Sequence, residues 1–349
     1  MKAMRWYGTN KGLKYETAPD PHAGTREVVV KVAACGVCHT DLHYLEHGVP
    51  TFKAPPVILG HEASGTVVEV GAGAMDGNGR PWVVGDRVII PAVLTCGSCV
   101  PCRSGRENIC ARMVMLGNHI DGAYAEFIAV PGKDVVLLPP DLPLEEASII
   151  ADAVSTPYHA VKNRAKVRPG ETVAVFGCGG VGMNAIQLAT AAGASVIAVD
   201  KVAKKLEWAK KFGAIATILA VDGQPTAKAI RKMTGGGVEV AFEAIGHPAT
   251  MTEAYESVVA GGRLCVIGYS AETVTVSAAK LMFREITVMG SLGCRPVDYP
   301  PLVRMVKEGK INIVDQVTHK FPLEQLEQAF KVMKAGEALR SIVTMKGIA

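Results

Sequence analysis

The sequence predicts an α/β protein in which a doubly wound parallel sheet accompanies a second, β-rich domain. Three observations carry this. From residue 171 onward short apolar strands alternate with helix-length segments. The first third of the chain is instead a series of β-branched runs separated by Pro/Gly turns. A glycine-rich turn, GCGGVG, stands between the first of the later strands and the helix that follows it. A chain of 349 residues is long enough for two such domains, each with its own core.

REVVVKVAA (26–34) and EASGTVVEVG (62–71) read as strands because β-branched residues dominate them, and GDRVIIPAV repeats that texture near residue 85. AGAMDGNGRP (72–81) is a turn. Near residue 145 the pattern becomes helical, in EEASIIADAVSTPYHAVKNRA. Then ETVAVFG, SVIAVD, TILAV, VEVAFEA, RLCVIG and ITVMG form six strand candidates, with VGMNAIQLATAAG and VAKKLEWAKKFG among the helices between them. Strand and helix in alternation imply a parallel sheet covered on both faces. Residues 299–335 read as helical and ALRSIVTM as a closing strand. The doubly wound domain is therefore expected at 154–296, inserted between two segments of the β-rich domain, 1–153 and 297–349. ITVMG, the last strand of the inserted sheet, is an edge that invites pairing with a second copy.

A net charge of +4 without any Lys/Arg block argues against nucleic-acid or membrane partners. The N-terminal MKAMRWYGTN lacks the apolar stretch of a signal peptide, and no apolar run approaches the roughly 18–20 residues of a membrane span. A soluble, cytoplasmic protein is expected. In a reducing compartment clustered cysteines are more often metal ligands or redox groups than disulfides.

Gly177, Gly179 and Gly182 fit G-x-G-x-x-G, with Gly180 and Val181 opening the helix between them. The first glycine permits the tight turn, the second lets a pyrophosphate approach the backbone, and the third lets helix and strand pack closely. The free N–H groups of the helix then face the phosphates. Asp200 closes the next strand, SVIAVD, where a carboxylate accepts both ribose hydroxyls and repels a 2′-phosphate. This Rossmann arrangement implies NAD over NADP, with Lys201 alongside as a cation able to soften that preference.

Cys96, Cys99, Cys102 and Cys110 follow C-x2-C-x2-C-x7-C. One tetrahedral zinc, an iron–sulfur cluster and pairwise disulfides all remain open on spacing alone. If zinc is the occupant, four thiolates leave no position for substrate, so the loop is structural and the chemistry lies elsewhere. Cys38 and His61 are the better candidates for a reacting metal: they stand at turns beside strands, with His39, Thr40, Asp41, His43 and Glu62 around them.

CGVCHTDLH, GHEASGTVVEVG, GDRV, CGSCVPCRSGRENIC and GCGGVG, in this order and at these separations, resemble the zinc-dependent medium-chain alcohol dehydrogenases over essentially the whole chain. The resemblance implies a GroES-like catalytic domain beside the Rossmann domain, two zinc ions per chain, and a homodimer or homotetramer. It implies Cys38, His61 and Asp152 as ligands of the catalytic zinc, Asp152 standing where many members have cysteine, and the four clustered cysteines as ligands of the structural one. Glu62 corresponds to a glutamate able to approach the metal, Asp41 to the carboxylate that orients the histidine, Thr40 to the hydroxyl touching the alcohol, and His43 to the outer end of a proton relay. Thr156 corresponds to a threonine behind the nicotinamide, and Arg340 loosely to a basic residue near the cofactor phosphates. The implied activity is hydride transfer between NAD(H) and a secondary or cyclic alcohol or ketone, with zinc lowering the pKa of the alcohol. The proton leaves through Thr40 and the ribose to His43.

Asp152 and the segments around it also resemble the branch that oxidises 6-hydroxycyclohex-1-ene-1-carbonyl-CoA, for which Arg112, Lys133 or Arg295 would have to supply a basic patch. A nucleotide-binding sensor without catalysis is a reading of another class, and the competent residue at every required position weighs against it. Trp82 reads as a packing anchor and Glu243 as a structural carboxylate; Cys178 fits a redox-sensitive thiol or equally a small apolar filler, and His119 and Asp121 fit pocket residues less well than solvated loop residues.

Overall fold

The computed structural model describes residues 1–345, so 346–349 of the expected second β-rich segment lie outside the described residues. Two compact units are present. One comprises Met1–Asp152, Cys294–Lys307 and the chain from Ile313 onward; the other comprises Ala153–Gly293 with Glu308–Asn312.

In the second unit six strands form one parallel sheet in the spatial order Ala216–Leu219, Ser195–Asp200, Thr172–Phe176, Val238–Glu243, Val258–Val266, Thr287–Gly290. Numbered along the chain this is 3-2-1-4-5-6, the Rossmann order, which reverses direction beside Thr172–Phe176. Central strands of such a sheet are covered on both faces, and Val173–Phe176 and Val196–Asp200 are buried at every position. By contrast the edge strand Thr287–Gly290 is largely exposed. The glycine turn follows the first strand. Gly177 has φ +94°, a conformation that glycine adopts without strain. A Cβ on Gly182 would lie 1.7 Å from the Gly177 carbonyl oxygen, whereas one on Gly179 would meet nothing within 4 Å. The third glycine is thus required by helix–strand packing, and the second leaves open space.

The first unit is built on the strand Glu27–Gly36, whose run VVVKVAACG is almost wholly buried. It pairs antiparallel with Ala63–Val70 along one edge and with Phe127–Pro131 and Arg340–Thr344 along the other. Arg87–Ile90, Val136–Leu137 and Val317–Pro322 extend this sheet. A smaller sheet of Leu13–Thr17, Lys2–Trp6 and Val57–Ile58 contributes Met4, Trp6 and Ile58 to the same core as Val28, Val30 and Tyr124. Trp82 is buried here and donates its indole N–H to the Gly132 carbonyl, so it anchors a loop.

Two expectations need correction. Residues 299–335 are not helical throughout: helices Tyr299–Lys307 and Leu326–Lys334 flank a strand, Val317–Pro322. VTHK alternates half-buried and exposed positions, and the whole strand pairs parallel with Arg340–Thr344, so a long-range partner decides its structure. The helical stretch near 145 is broken into a 3-10 turn, Glu146–Ala151, a short α-helix, Ser155–Tyr158, and a π turn, His159–Arg164. The break at Asp152 releases that side chain from the helical repeat.

Candidate active site and metal centres

Within the first unit Cys38, His61, Glu62 and Asp152 each offer a ligand atom, and these atoms all lie within 4.8 Å of one another. Cys38 caps the helix His39–Leu45, accepting the Thr40 N–H on its sulfur, and the Thr40 hydroxyl lies 3.5 Å from the same sulfur. His61 and Glu62 immediately precede the strand Ala63–Val70. Asp152 follows the 3-10 turn, where Tyr299 donates its hydroxyl to the Ala151 carbonyl at 2.7 Å and pins the approach. Cys35, the other cysteine of CGVC, is outside the group. Burial pushes its thiol pKa up, and its S–H faces the Gly36 carbonyl.

The His61 ring is buried, yet neither of its nitrogens has a hydrogen-bond partner. Nδ1 stands 3.6 Å from an Asp41 oxygen and Nε2 stands 3.7 Å from an Asp152 oxygen. Glu62 Oε1 is likewise buried without a partner. Orphaned polar atoms of this kind cost free energy unless something fills the space between them. Burial alone would lower the His61 pKa, but Asp41 and then Cys38 outweigh it and raise it well above the ordinary value. The pocket therefore favours positive charge. Thiolate, imidazole and carboxylate converging on such a point suit a zinc ion, the fourth position falling to Glu62 or to a small oxygen ligand.

Behind the ligands lies a second set of contacts. Tyr124 is fully buried and donates its hydroxyl to Asp41 Oδ2 at 2.7 Å, while the Gly60 N–H reaches Asp41 Oδ1 at 3.3 Å. Gly60 is required for this approach, because a Cβ there would come within 2.8 Å of the Tyr124 ring. Arg340, at the start of its strand, donates to Glu62 Oε2 and is itself buried. Burial and the nearby Asp152 raise the Glu62 pKa, against the opposing pull of Arg340. Arg340 thus belongs to the surroundings of the candidate metal, a position its loose match in sequence did not indicate. Tyr124 and Tyr299 escaped sequence reading altogether: a tyrosine in GAYAEF or VDYPP carries no local sign of what it will touch.

His43 lies on the same helix as Thr40 and Asp41, with Nδ1 3.0 Å from Nδ1 of His47. Burial, then His47, lowers the His43 pKa. His119 stacks on Phe52 with ring centroids 4.3 Å apart and accepts the Met115 N–H, while Asp121 holds the Ile58 N–H and Lys53.

The four clustered cysteines also bring their sulfurs together, with separations of 3.4 Å (Cys99–Cys102), 3.8 Å (Cys99–Cys110) and 3.9 Å (Cys96–Cys102). All are free thiols, and these distances are far beyond the ~2.05 Å of a disulfide. Four sulfurs at about 2.3 Å from one zinc would stand roughly 3.8 Å apart, so the observed spacing fits a single ion. A multi-iron cluster would spread the thiolates around its own irons and sulfides. Backbone N–H groups of Ser98 and then Cys99 lower the Cys96 pKa to about 5, which favours the thiolate.

In the second unit the Asp200 carboxylate accepts the Cys178 N–H at 2.7 Å and the Val202 N–H at 2.9 Å, which fixes it beside the glycine turn. Gly180 and Val181 begin the helix Gly180–Ala191, Lys201 is exposed, and Thr156 is buried on the helix Ser155–Tyr158. Glu243 accepts the N–H groups of Ile245 and Gly246 and the Thr250 hydroxyl, so it shapes a turn.

The chain matches two family descriptions: "Alcohol dehydrogenase GroES-like domain" over residues 24–140 and "Zinc-binding dehydrogenase" over residues 180–308. An alcohol dehydrogenase of Geobacillus stearothermophilus is 35% identical over 98% of both chains. The chain belongs to the zinc-dependent medium-chain alcohol dehydrogenases. An L-threonine 3-dehydrogenase of Bacillus licheniformis is 31% identical, covering 97% of this chain and 96% of the relative. The solved alcohol dehydrogenase of the archaeon Aeropyrum pernix superposes with a TM-score of 0.89 at 32% identity, over 99% of this chain and all of that one. Membership makes the protein an oxidoreductase of the zinc-binding type. Among the described residues no helix is long and apolar enough to cross a membrane.

The three cations that a CoA ester would call on are already engaged. Arg112 donates to the Ser98 hydroxyl beside the cysteine cluster, Lys133 holds Asp134, and Arg295 makes a two-pronged contact with Asp298. A groove of about 920 Å³ in the first unit, lined by Arg80, Lys133 and Lys307 among others, contains no residue of either metal group, and Asp86, Asp134 and Asp141 neutralise those cations.

Proposed function

We propose that the protein is an NAD(H)-dependent dehydrogenase of secondary or cyclic alcohols, working equally as a reductase of the corresponding ketones. The observation that carries this reading is the convergence of Cys38, His61 and Asp152 around a buried imidazole without partners. The relative that oxidises L-threonine at carbon 3 acts on a secondary hydroxyl, which supports the substrate class. The unit Ala153–Gly293 serves as dinucleotide-binding domain, and the other as catalytic domain with its cysteine-rich zinc lobe.

When bound, zinc supplies a Lewis acid that makes the alcohol proton labile, and the dinucleotide accepts the hydride. The chain does the rest. Cys38, His61 and Asp152 hold the metal, and a carboxylate in place of a second thiolate makes the ligand set harder. Asp41 sets the tilt of the imidazole and is itself set by Tyr124. Glu62 waits within reach of the metal, restrained by Arg340. Thr40 presents its hydroxyl to the alcohol, and His43 takes the proton onward as a neutral base. Gly177, Gly179, Gly180, Val181 and Gly182 hold the pyrophosphate, Asp200 and Lys201 the adenosine ribose and Thr156 the nicotinamide side, while Arg340, buried against Glu62, is engaged there instead of at a cofactor phosphate. Asp200 favours NAD because its fixed carboxylate repels a 2′-phosphate.

Initial rates with NAD and NADP on simple secondary alcohols and cyclohexanol-type alcohols, with metal analysis of the same sample, test the proposal. Turnover of free alcohols with NAD and two zinc ions per chain is expected. A folded, fully metallated protein inert toward all of them would overturn it. Thr287–Gly290, with Met282, Phe283 and Leu292 exposed around it, is the edge through which we expect a dimer or tetramer to form in the cytoplasm. Sedimentation of wild type and Val288→Lys decides that point, a monomeric wild type being the contrary result.

A further inference from the structure

We infer that His47 is a second station of the proton path, fixing the tautomer of His43 and carrying its proton to water. This rests on the reading of His43 as the outer end of the relay. The two rings come from one short segment. His43 is in the last turn of the helix His39–Leu45, and His47 lies just beyond its end, where its N–H returns to the Leu42 carbonyl. Their Nδ1 atoms are 3.0 Å apart, with ring centroids at 5.1 Å and planes inclined by 57°. Two bare nitrogens would repel at that distance, so one carries hydrogen and the other accepts it. His43 is half-buried and His47 is exposed, which gives the pair a direction from the interior to solvent.

The order of protonation follows. With His43 Nδ1–H donated to His47 Nδ1, the remaining nitrogen of His43, Nε2, carries no hydrogen and takes a proton from the substrate side. As that proton arrives, the Nδ1 proton passes to His47 Nδ1 and His47 releases its Nε2 proton to water. One proton enters, one leaves and no electrons move. Each ring ends in its other tautomer and is restored by proton exchange with water between turnovers. Glu46 precedes His47 and is held by Lys334, from the helix Leu326–Lys334, at 2.8 and 2.9 Å. The burial of His43, and after it the proximity of His47, keep His43 neutral, consistent with its lowered pKa.

The test compares His47→Gln, His43→Gln and wild type as metallated protein with NAD. For His47→Gln we expect alcohol oxidation slower by roughly 3- to 10-fold below neutral pH, less than the roughly 100-fold or more that a group acting directly on the substrate proton contributes, because His47 stands one ring further out. KM should change little, and imidazole added to the buffer should restore the rate. In nitrogen-15 spectra of the imidazoles the His43 Nδ1 signal should shift on removal of its partner. A His47→Gln protein with wild-type rate, pH profile and His43 spectrum overturns the inference. So does a slowed one that neither imidazole nor pH affects, since that marks a purely structural role. If His43→Gln itself oxidises alcohols normally, the underlying relay reading fails instead.

Discussion

Arg340 places its guanidinium against the carboxylate of Glu62 across 278 residues of sequence, with both side chains buried. Such a pair is costly to break from one side, because the remaining charge has neither water nor partner. Arg340→Leu should destabilise the protein by about 3–5 kcal/mol. Glu62→Gln added to it should recover part of the loss. Denaturant unfolding of the three proteins measures this, and equal stability of Arg340→Leu and wild type would refute it.

Asp41 is fully buried, faces His61 and is held by Tyr124. Removing such a partner of a metal ligand costs roughly 10- to 100-fold in affinity. Asp41→Asn should weaken zinc binding by that range, and Tyr124→Phe by less. Competition with a chelator would show both, and unchanged affinity in Asp41→Asn would be the contrary result.

The two metal groups should separate by mutation. Cys96→Ser removes one of four thiolates from the cysteine lobe, lowering zinc content by one ion per chain and the melting temperature with it. Asp152→Ala should also lose one ion, but with melting nearly unchanged and turnover abolished. A folded, zinc-depleted Asp152→Ala protein with full activity would sink the assignment.

With His43 as the proposed proton acceptor, the pH dependence of oxidation follows from that ring. Its pKa is lowered, by burial first and His47 second, so the neutral, proton-accepting form persists to lower pH than in a free histidine. The acid limb of kcat/KM should therefore lie below about 6.5 and vanish in His43→Gln. A limb above that value, or one unaltered by the substitution, would contradict this.

Asp200→Ala removes an acceptor that serves two backbone N–H groups and, in the proposed function, the ribose. Charged hydrogen bonds of this type contribute about 1.5–3 kcal/mol, so kcat/KM for NAD should fall roughly 10- to 100-fold while that for NADP falls less. The ratio of the two, measured at fixed alcohol concentration, checks it.

Much of this architecture was legible from sequence for identifiable reasons. GCGGVG works through contacts within six residues, so its pattern survives in one dimension, and the spacing of Cys96 to Cys110 is likewise a local geometry. Cys38 and His61 were visible through the polar residues clustered around them. The strand Val317–Pro322 was not, since its pairing with Arg340–Thr344 replaces any local preference. Tyr124, Tyr299 and the partner of Arg340 were equally hidden, because their roles arise from contacts 83, 148 and 278 residues away. His47 lay in plain view but reads as an ordinary exposed residue until the ring of His43 is placed beside it.

The strand Arg340–Thr344 has a bearing on how the protein is made. It pairs with Glu27–Gly36 on one side and Val317–Pro322 on the other, and it carries the cation that restrains Glu62. On a ribosome the sheet of the second unit is complete once residue 290 has emerged, and that sheet can fold while synthesis continues. The first unit has no such liberty. Its earliest long strand must wait, with one edge only partly paired, until residue 344 is released, so the nascent chain passes through a stage in which a finished parallel sheet is tethered to an unfinished antiparallel one.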